Sequence, residues 1–383
     1  MTNLGTIGID YTPAYEQGGG IGRYVRELVT ALAKEDTNTH YKLFVAGVDA
    51  PEKLPDLPGE NFSWHTTRVT PRWLARLWHR ANIPYPVEQL LGDITLFHAT
   101  DFVLPPTRHD TRTLVTVHDL SFVHVPETAE PRLKKYLDVM VPRSVKKADH
   151  ILADSAATKA DLVTLYNTPS DKITILLSGV DPHFRPIEDT QQQTAVREKY
   201  GLGTWPYLFT IGTVQPRKNY TRMCEALAIM HTSTPDLHLV IAGGKGWLED
   251  PIHETVQRLQ LGQHVHFIGF ADDQDLPALY SAAAAVPYVS LYEGFGLPVL
   301  EAMACGTPVI ASNLSSIPEV AGNAALLVDP TDSAAIATAI QTVLDKPMLQ
   351  KQLIDSGYQQ ARQFTWQKSA QNLLQVYRQV TTT

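Results

Sequence analysis

Short apolar runs alternate along the first half of the chain with longer stretches in which apolar positions recur every three or four residues. The runs are typical of β-strands and lie at residues 4–10, 41–46, 94–98, 113–118, 150–154 and 173–177. The helical stretches between them include residues 21–34, 132–147 and 156–166. This alternation predicts right-handed βαβ units and hence a parallel sheet.

The alternation resumes after a polar stretch at residues 178–193, which is typical of a linker. The later predicted strands are residues 207–211, 237–242, 264–268, 284–289, 307–311 and 325–328, and the predicted helices are residues 222–230, 251–261, 273–283, 298–304, 334–344, 348–363 and 366–380. We therefore predict two α/β domains, residues 1–180 and 181–363, each a Rossmann-like, doubly wound parallel sheet. Ligands of such sheets bind beyond the carboxyl ends of the strands, so we expect the site in the cleft between the domains.

Composition narrows the class of protein. The chain has 383 residues, of which 44% are hydrophobic and 19% charged, as in soluble globular proteins of two domains. A formal charge of −8 argues against a nucleic acid as partner. Cys224 and Cys305 lie far apart in the sequence, and the chain opens into a strand without an apolar signal segment. We expect a cytoplasmic protein without disulfide bonds.

Residues 292–306 combine two glutamates with a loop that turns into a short helix. Pro298 suits a first helical position and Gly306 suits the end, so Glu293 lies on the loop and Glu301 inside the helix. The N–H groups at the start of this helix favour an anion, and each carboxylate can accept two hydroxyl groups of a sugar or a ribose. The pattern indicates a nucleotide-sugar site. The alternative is that both glutamates are solvated surface residues.

Glu293 and Glu301, within Glu-Gly-Phe-Gly-Leu-Pro-x-Leu-Glu-Ala-Met-Ala-x-Gly-x-Pro-Val, resemble the signature of the retaining GT-B glycosyltransferases of family 4. In that family the second glutamate binds the nucleotide ribose and the first contacts the donor sugar. The resemblance implies these roles for Glu301 and Glu293. It also implies a GT-B fold with an N-terminal acceptor-side domain, a C-terminal donor-binding domain and a last helix, about residues 364–383, that returns to the first domain.

The first half resembles bacterial polysaccharide mannosyltransferases through Gly-Ile-Gly-Arg-Tyr, Val-His-Asp-Leu-Ser-Phe and Ala-Asp-His-Ile-Leu-Ala-Asp-Ser. This resemblance implies GDP-mannose as donor, with a UDP-hexose as the alternative. It implies a glycan or lipid-linked acceptor.

Glycines at residues 18–20 follow the first predicted strand and open a helix. Gly19 and Gly20 would let the backbone approach a phosphate or a sugar at that helix N-terminus. A Rossmann dinucleotide site and a merely flexible loop are the alternatives.

His118 ends a predicted strand, where α/β proteins place functional groups. The resemblance implies a position beside the donor sugar. Ser155 ends another strand of the same sheet and is predicted to cap the next helix.

Loops of the second predicted domain carry the diphosphate candidates. Gly212 precedes Arg217 and Lys218, and such adjacent cations at a βα turn can neutralise a diphosphate. Gly243 and Phe270 lie in the next two loops, where backbone groups can hold the base. The predicted donor-binding set also includes Phe295, Gly296 and Leu297 at the start of the short helix.

Asp272, Asp273 and Asp275 contain the Asp-x-Asp pattern that marks a metal site in other glycosyltransferases. We expect no metal and no cofactor here, because these acids open a helix and are explained by capping and by the helix dipole.

Residues 68–80 place Arg68, Arg72, Arg76 and Arg80 at helical spacing beside tryptophans. A basic amphipathic helix can lie on anionic lipid, which would suit a lipid-linked acceptor. The same pattern equally suits a helix that packs its aromatic face on the sheet, and we favour that interpretation because a single short helix anchors weakly.

The predicted reaction is glycosyl transfer with Arg217, Lys218, Glu293 and His118 as catalytic residues and with retention implied by the resemblance. No carboxylate nucleophile is evident, so a front-face displacement is the working hypothesis. The alternatives are a nucleotide-sugar epimerase or phosphorylase on the same scaffold, and a nucleotide-sugar-binding subunit without activity.

Overall fold

The computed structural model describes residues 4–80 and 83–382, without the side chains of Lys53 and Arg80. The strands are β1 (Thr6–Asp10), β2 (His40–Ala46), β3 (Phe62–Thr67), β4 (Leu96–Ala99), β5 (Arg112–Val117), β6 (His150–Ala153), β7 (Ile173–Ile175), β8 (Tyr207–Ile211), β9 (His238–Ala242), β10 (Val265–Gly269), β11 (Val286–Tyr288), β12 (Val309–Ser312) and β13 (Ala325–Val328). Thr383, at the end of the last predicted helix, lies outside the described residues.

The α-helices are α1 (Thr12–Glu16), α2 (Gly20–Glu35), α3 (Pro71–Ala75), α4 (Glu88–Leu91), α5 (Ser121–His124), α6 (Pro131–Lys147), α7 (Ala156–Tyr166), α8 (Thr190–Lys199), α9 (Tyr220–Met230), α10 (Asp250–Arg258), α11 (Leu276–Ser281), α12 (Leu297–Ala304), α13 (Ile317–Ala321), α14 (Ser333–Asp345), α15 (Pro347–Ala361) and α16 (Trp366–Thr382). Helix α8 begins inside the stretch predicted as a linker, because the Asp189 carboxylate accepts hydrogen bonds from the backbone N–H groups of Gln191 and Gln192 and so starts a helix there.

The chain divides into two compact units. Unit 1 comprises residues 1–120, 135–179 and 365–383, and unit 2 comprises residues 121–134 and 180–364. The sequence pattern places residues 121–134 in the first domain, whereas their contacts group them with unit 2.

Unit 1 is built on a seven-stranded parallel sheet of order β3-β2-β1-β4-β5-β6-β7. The central strands are buried and apolar, as expected for a parallel sheet covered on both faces. Helix α16 packs on this unit, and the Tyr377 hydroxyl lies 2.9 Å from Nδ1 of His98. Gly179 is required where the chain leaves the unit, because a Cβ there would collide with the backbone of Trp366.

Unit 2 contains two three-stranded parallel sheets, β10-β9-β8 and β11-β12-β13. An isolated parallel β-bridge between Leu208 and Ala285 connects the two sheets, so that β11 follows β8 in the order of strands. The carboxyl ends of β8, β9, β10 and β11 lie along one edge, where the loops of the predicted donor site begin.

At the opposite edge of unit 2, four histidines lie close together. His238 Nδ1 is 2.8 Å from His266 Nε2, and the His238 ring stacks on Trp205 at 3.8 Å, with His231 and His264 in ring contact nearby. Burial of His238, together with the charges that His266, His264 and His231 would carry, lowers the pKa of His238 to about 4.

This cluster predicts a loss of stability in acid. The folded state binds fewer protons at His238 than the unfolded chain between pH 6.5 and about 4, so the free energy of unfolding falls as the pH falls through that window. His238→Phe keeps the ring stack and removes the titration. We expect its melting temperature to fall less than that of the wild type between neutral pH and pH ~4.5. His253→Phe, which replaces an exposed histidine, serves as the control and should behave like the wild type. An equal fall in melting temperature in the wild type and in His238→Phe would contradict this account.

Candidate active site

Arg217, Lys218 and Glu293 meet at the carboxyl edge of the sheet in unit 2. The guanidinium of Arg217 donates to Glu293 Oε2 at 2.8 Å, and Lys218 Nζ donates to Oε1 at 2.7 Å. The Tyr288 hydroxyl donates to the same Oε1 at 3.0 Å. All three charged side chains are largely buried, with exposed fractions of 16% for Arg217, 11% for Lys218 and 8% for Glu293.

The electrostatics of this group keep the glutamate ionised. Burial alone would raise the pKa of Glu293, but the neighbouring Arg217 and Lys218 outweigh burial and lower it to about 2. Arg217, Lys218 and Glu293 together carry one net positive charge, which suits an anionic ligand.

Local backbone structure holds the two cations in place. They lie in a 3₁₀ turn, Pro216–Lys218, which Asn219 ends with a positive φ of 62°. The Asn219 amide donates to the carbonyl of Val289 at 2.9 Å and to that of Pro330 at 2.7 Å. The cation-bearing turn is therefore fixed to the end of β11 and to the loop after β13.

Two glycines of the predicted set have steric reasons to be glycine. A Cβ on Gly212 would lie 2.9 Å from Cε of Lys218, so the glycine makes room for the lysine side chain. Gly243 has a φ of 149°, and a Cβ there would collide with the carbonyl oxygen of Gly212. The loops after β8 and β9 therefore approach each other directly.

The two predicted glutamates differ in their surroundings. Glu301 lies in α12 and is 2% exposed, and its Oε2 accepts a hydrogen bond of 2.9 Å from the Tyr280 hydroxyl. Glu293 lies on the loop before α12, and its backbone N–H donates to Ser315 Oγ at 2.9 Å. Neither glutamate is a solvated surface residue, so that alternative is wrong.

The start of α12 is held by Ser316, whose hydroxyl lies 2.9 Å from the carbonyl oxygens of Glu293 and Phe295. Gly296 has a φ of 112°, and Leu297 is partly buried. The Phe295 side chain is buried in the core of unit 2 and meets Phe364 edge to face at 5.8 Å. Any contribution of Phe295 to ligand binding therefore comes from its backbone.

The remaining predicted residues lie in one loop of unit 2 and at one helix start in unit 1. Phe270 follows β10 and is 62% exposed. Gly19 and Gly20 begin α2 in unit 1, with no atom within 4 Å of where a Cβ would lie. These two glycines are therefore not required by packing within their own unit.

His118 lies at the carboxyl end of β5 in unit 1 and is buried. Its Nδ1 donates to Asp154 Oδ2 at 2.8 Å and its Nε2 donates to the carbonyl oxygen of Thr100 at 2.9 Å. Burial alone would lower the pKa of His118, but Asp154 outweighs it and raises the pKa to about 9. Both ring nitrogens have protein partners, which fix the orientation of the imidazole.

Among the described residues, no group of three or more histidine, cysteine or acidic side chains is arranged to hold a metal ion. Asp272 and Asp275 instead bind Lys199, whose Nζ lies 2.7 and 2.5 Å from their carboxylates. The predicted capping role is wrong for these two acids, because neither makes a side-chain cap bond. Ser155 does cap α7, as predicted.

The predicted helix at residues 68–80 is interrupted. Helix α3 ends at Ala75, and a turn of π-helix, Arg76–Arg80, follows it. Trp78 is buried and its indole donates to the carbonyl of Tyr85 at 2.8 Å, whereas Trp73 is 56% exposed and lies against Arg76. The two tryptophans therefore face different surroundings. In the described part of the chain, every helix is too short or too polar to cross a bilayer.

Sequence patterns missed several residues that shape the site, including Tyr280, Tyr288, Asn219, Ser315 and Ser316. Tyr280 lies in a predicted helix and Tyr288 in a predicted strand, and in both the tyrosine was counted only as an apolar position. The apolar pattern gives no indication that their hydroxyl groups donate hydrogen bonds to the glutamates. Asn219 could have been predicted to end the turn of the two cations, because it directly follows them and asparagine tolerates a positive φ.

Comparisons with known proteins decide the family. The model of Glycosyltransferase Family 4 matches residues 18–184, and the model of Glycosyl transferases group 1 matches residues 192–360. O-antigen chain mannosyltransferase B of Escherichia coli is 32% identical over 370 residues, which cover 94% of this chain and 96% of that protein. The chain belongs to glycosyltransferase family 4.

Solved structures give the fold of this family 4 glycosyltransferase. Sucrose-phosphate synthase from Thermosynechococcus elongatus matches with a TM-score of 0.79 at 24% identity, over 98% of this chain and 99% of that one. Anabaena HepE, in a complex with UDP and glucose, matches with a TM-score of 0.74 at 18% identity, again over 98% and 99%. The two parallel-sheet α/β units therefore have the GT-B fold, and the predicted fold class is confirmed.

Proposed function

We propose that this glycosyltransferase transfers mannose from GDP-mannose to a hydroxyl group of a glycan or lipid-linked acceptor, with retention at the anomeric carbon. The observation that carries the proposal is the buried group of Arg217, Lys218 and Glu293 beside the start of α12. The mannosyl donor is supported by the similarity to O-antigen chain mannosyltransferase B.

In the proposed reaction the bond between the sugar C1 and the diphosphate breaks, and negative charge develops on the leaving phosphate. Arg217 and Lys218 stabilise that charge, together with the backbone N–H groups of Gly296 and Leu297. The acceptor hydroxyl attacks from the same face and gives its proton to the leaving phosphate. We propose no divalent ion in this step, because two cationic side chains already neutralise the diphosphate.

Glu301 is proposed to bind the ribose and Glu293 the donor sugar, while the Gly243 loop and Phe270 contribute to the base site. His118 is proposed to take part in catalysis, and the Gly19–Gly20 backbone is proposed to contribute to donor binding. A UDP-hexose is the alternative donor.

The proposal predicts the products of a defined assay. The protein is incubated with GDP-mannose, or with UDP-glucose, and a mannose-terminated oligosaccharide in the presence of EDTA. We expect transfer from GDP-mannose, with an α-linked product seen by proton NMR. A β-linked product would contradict retention. Release of no nucleotide from either donor would favour a binding subunit, and epimerised donor or a sugar phosphate would favour an epimerase or phosphorylase.

We also propose that this enzyme is cytoplasmic and that its unit 1 contacts anionic lipid at the inner face of the membrane, near a lipid-linked acceptor. Trp73, Arg72 and Arg76 are exposed on α3 and the turn that follows. The ring of His79, in the same turn, contacts Tyr136 of α6, and the exposed Arg143 of that helix lies near the same imidazole. An exposed aromatic ring among cations is suited to a lipid surface.

This surface predicts a loss of vesicle binding on substitution. Arg72→Ala should reduce co-sedimentation with vesicles that contain phosphatidylglycerol by several-fold, since each basic residue near an anionic surface contributes about 1 kcal/mol. Trp73→Ala should reduce it as well, because the exposed indole would no longer be buried at the boundary between headgroups and acyl chains. Arg378→Ala, which removes an exposed cation of α16, serves as the control. Equal binding to vesicles of phosphatidylcholine alone would contradict the proposal.

A further inference from the structure

Residues 121–134 belong to unit 2, although the chain on both sides of them belongs to unit 1. Two contacts tie this segment to loops of unit 2. The indole of Trp247, in the loop after β9, donates to the carbonyl of Thr128 at 2.8 Å. The ring of His124, the last residue of α5, stacks on Tyr292 with centroids 4.9 Å apart and planes 11° apart.

Tyr292 is part of the diphosphate-binding group through its backbone. Its carbonyl oxygen accepts a hydrogen bond of 2.7 Å from the same guanidinium nitrogen of Arg217 that binds Glu293. The N–H of Leu291 donates to the carbonyl of Arg217 at 2.9 Å. These hydrogen bonds link Arg217 to residues 291–293. A rotation of the Tyr292 backbone would therefore move both Arg217 and Glu293.

His124 lies at the surface of the segment. Phe122 is buried with 3% of its surface exposed, whereas His124 is exposed. The phenol ring of Tyr292 beneath it is only 8% exposed. His124 therefore covers a buried ring beside the site and contributes little to the core.

We infer that His124 is a positioning residue for the donor site. By stacking on Tyr292 it fixes the orientation of the Tyr292 carbonyl, and through that carbonyl it keeps Arg217 directed at the diphosphate. This inference rests on the proposed function, because it assumes that Arg217 binds a nucleoside diphosphate.

The test compares His124→Ala with His124→Phe, which retains a flat ring for the stack. GDP and UDP are titrated into each protein by calorimetry, and the nucleotide that the wild type binds is used throughout. We expect His124→Ala to weaken binding about 3- to 10-fold, which is the range for loss of one aromatic pair, and His124→Phe to bind within about 2-fold of the wild type. His253→Ala, which removes another exposed imidazole that contacts a ring in the same unit, should bind like the wild type.

Thermal unfolding and kinetics separate positioning from folding. The melting temperature of His124→Ala should lie within about 2 °C of the wild type, because the replaced side chain is exposed. The KM for the donor should rise while kcat changes less. Unchanged nucleotide binding in His124→Ala, or equal weakening in His124→Phe, would overturn the inference and leave the donor site in place. If the wild type binds neither GDP nor UDP, the inference and the proposed function fail together.

Discussion

Arg217→Ala and Lys218→Ala are each expected to lower kcat/KM by about 100- to 1000-fold, which is the typical cost of removing one group that stabilises developing charge. Each cation is buried against Glu293, with N–O distances of 2.8 and 2.7 Å. Steady-state kinetics with the accepted donor measure the loss. We expect the loss in both KM and kcat, because the cations bind the diphosphate of the donor and also stabilise the charge that develops on the leaving phosphate during the reaction.

Both substitutions should also reduce stability, since Glu293 would remain buried with only one cationic partner. The lowered pKa of Glu293, about 2, contributes stability that is present above pH 4.5 and is lost as the pH falls towards 2. The difference in melting temperature between wild type and variant should therefore be largest near neutral pH and shrink below pH 4.5.

Lys199→Ala provides a matched control in the same unit. Lys199 also pairs with carboxylates, those of Asp272 and Asp275, but 45% of its side chain is exposed. We expect unchanged turnover and a small effect on stability, as for most exposed ion pairs. Full activity in Arg217→Ala and Lys218→Ala would show that the buried cations have no part in the reaction.

Glu301→Gln is expected to weaken binding of the nucleoside diphosphate by about 10- to 100-fold, because a hydrogen bond to a charged group contributes about 1.5–3 kcal/mol. The substitution preserves the size of a side chain that is 2% exposed. Calorimetry with the intact nucleotide and with its 2′,3′-dideoxy analogue tests the assignment to ribose directly. The analogue should bind wild type and variant equally.

Tyr280→Phe is the control for this prediction. It removes the hydroxyl that donates to Glu301 at 2.9 Å and leaves the carboxylate in place. We expect a smaller loss of affinity than in Glu301→Gln, because the acceptor for the ribose is retained. If Glu301→Gln weakens binding of the dideoxy analogue as much as it weakens binding of the intact nucleotide, Glu301 does not bind the ribose.

Elements with strongly apolar strands could be predicted from the sequence, and the GT-B fold class followed from their alternation and from the resemblance. Strand β3, Phe62–Thr67, was not predicted. This strand lies at the edge of its sheet, has only one neighbouring strand and is only partly buried. Its residues therefore do not form an apolar run. The break between α3 and the π-helical turn was also missed, because a shift of one residue in hydrogen bonding leaves the spacing of apolar residues nearly unchanged.

The candidate site could be predicted in its residue types but not in its contacts. Arg217, Lys218 and Glu293 were identified by spacing and resemblance, yet the bonds between them join positions 75 and 76 residues apart and depend on how β8 and β11 align. The spacing of apolar residues along the chain contains no information about contacts between such distant positions. The same holds for His118, whose two hydrogen bonds to Asp154 and Thr100 come from neighbouring strand ends of one sheet.

The central claim is that unit 2 binds a nucleoside diphosphate through Arg217 and Lys218. A thermal-shift panel of GDP, UDP, ADP and CDP, recorded in EDTA, tests it most directly, since a ligand that binds only the folded state raises the melting temperature. We predict that GDP or UDP raises the melting temperature of the wild type and leaves that of the Arg217→Ala, Lys218→Ala double variant unchanged. An equal rise in both proteins, or no rise with any nucleotide, would contradict the claim.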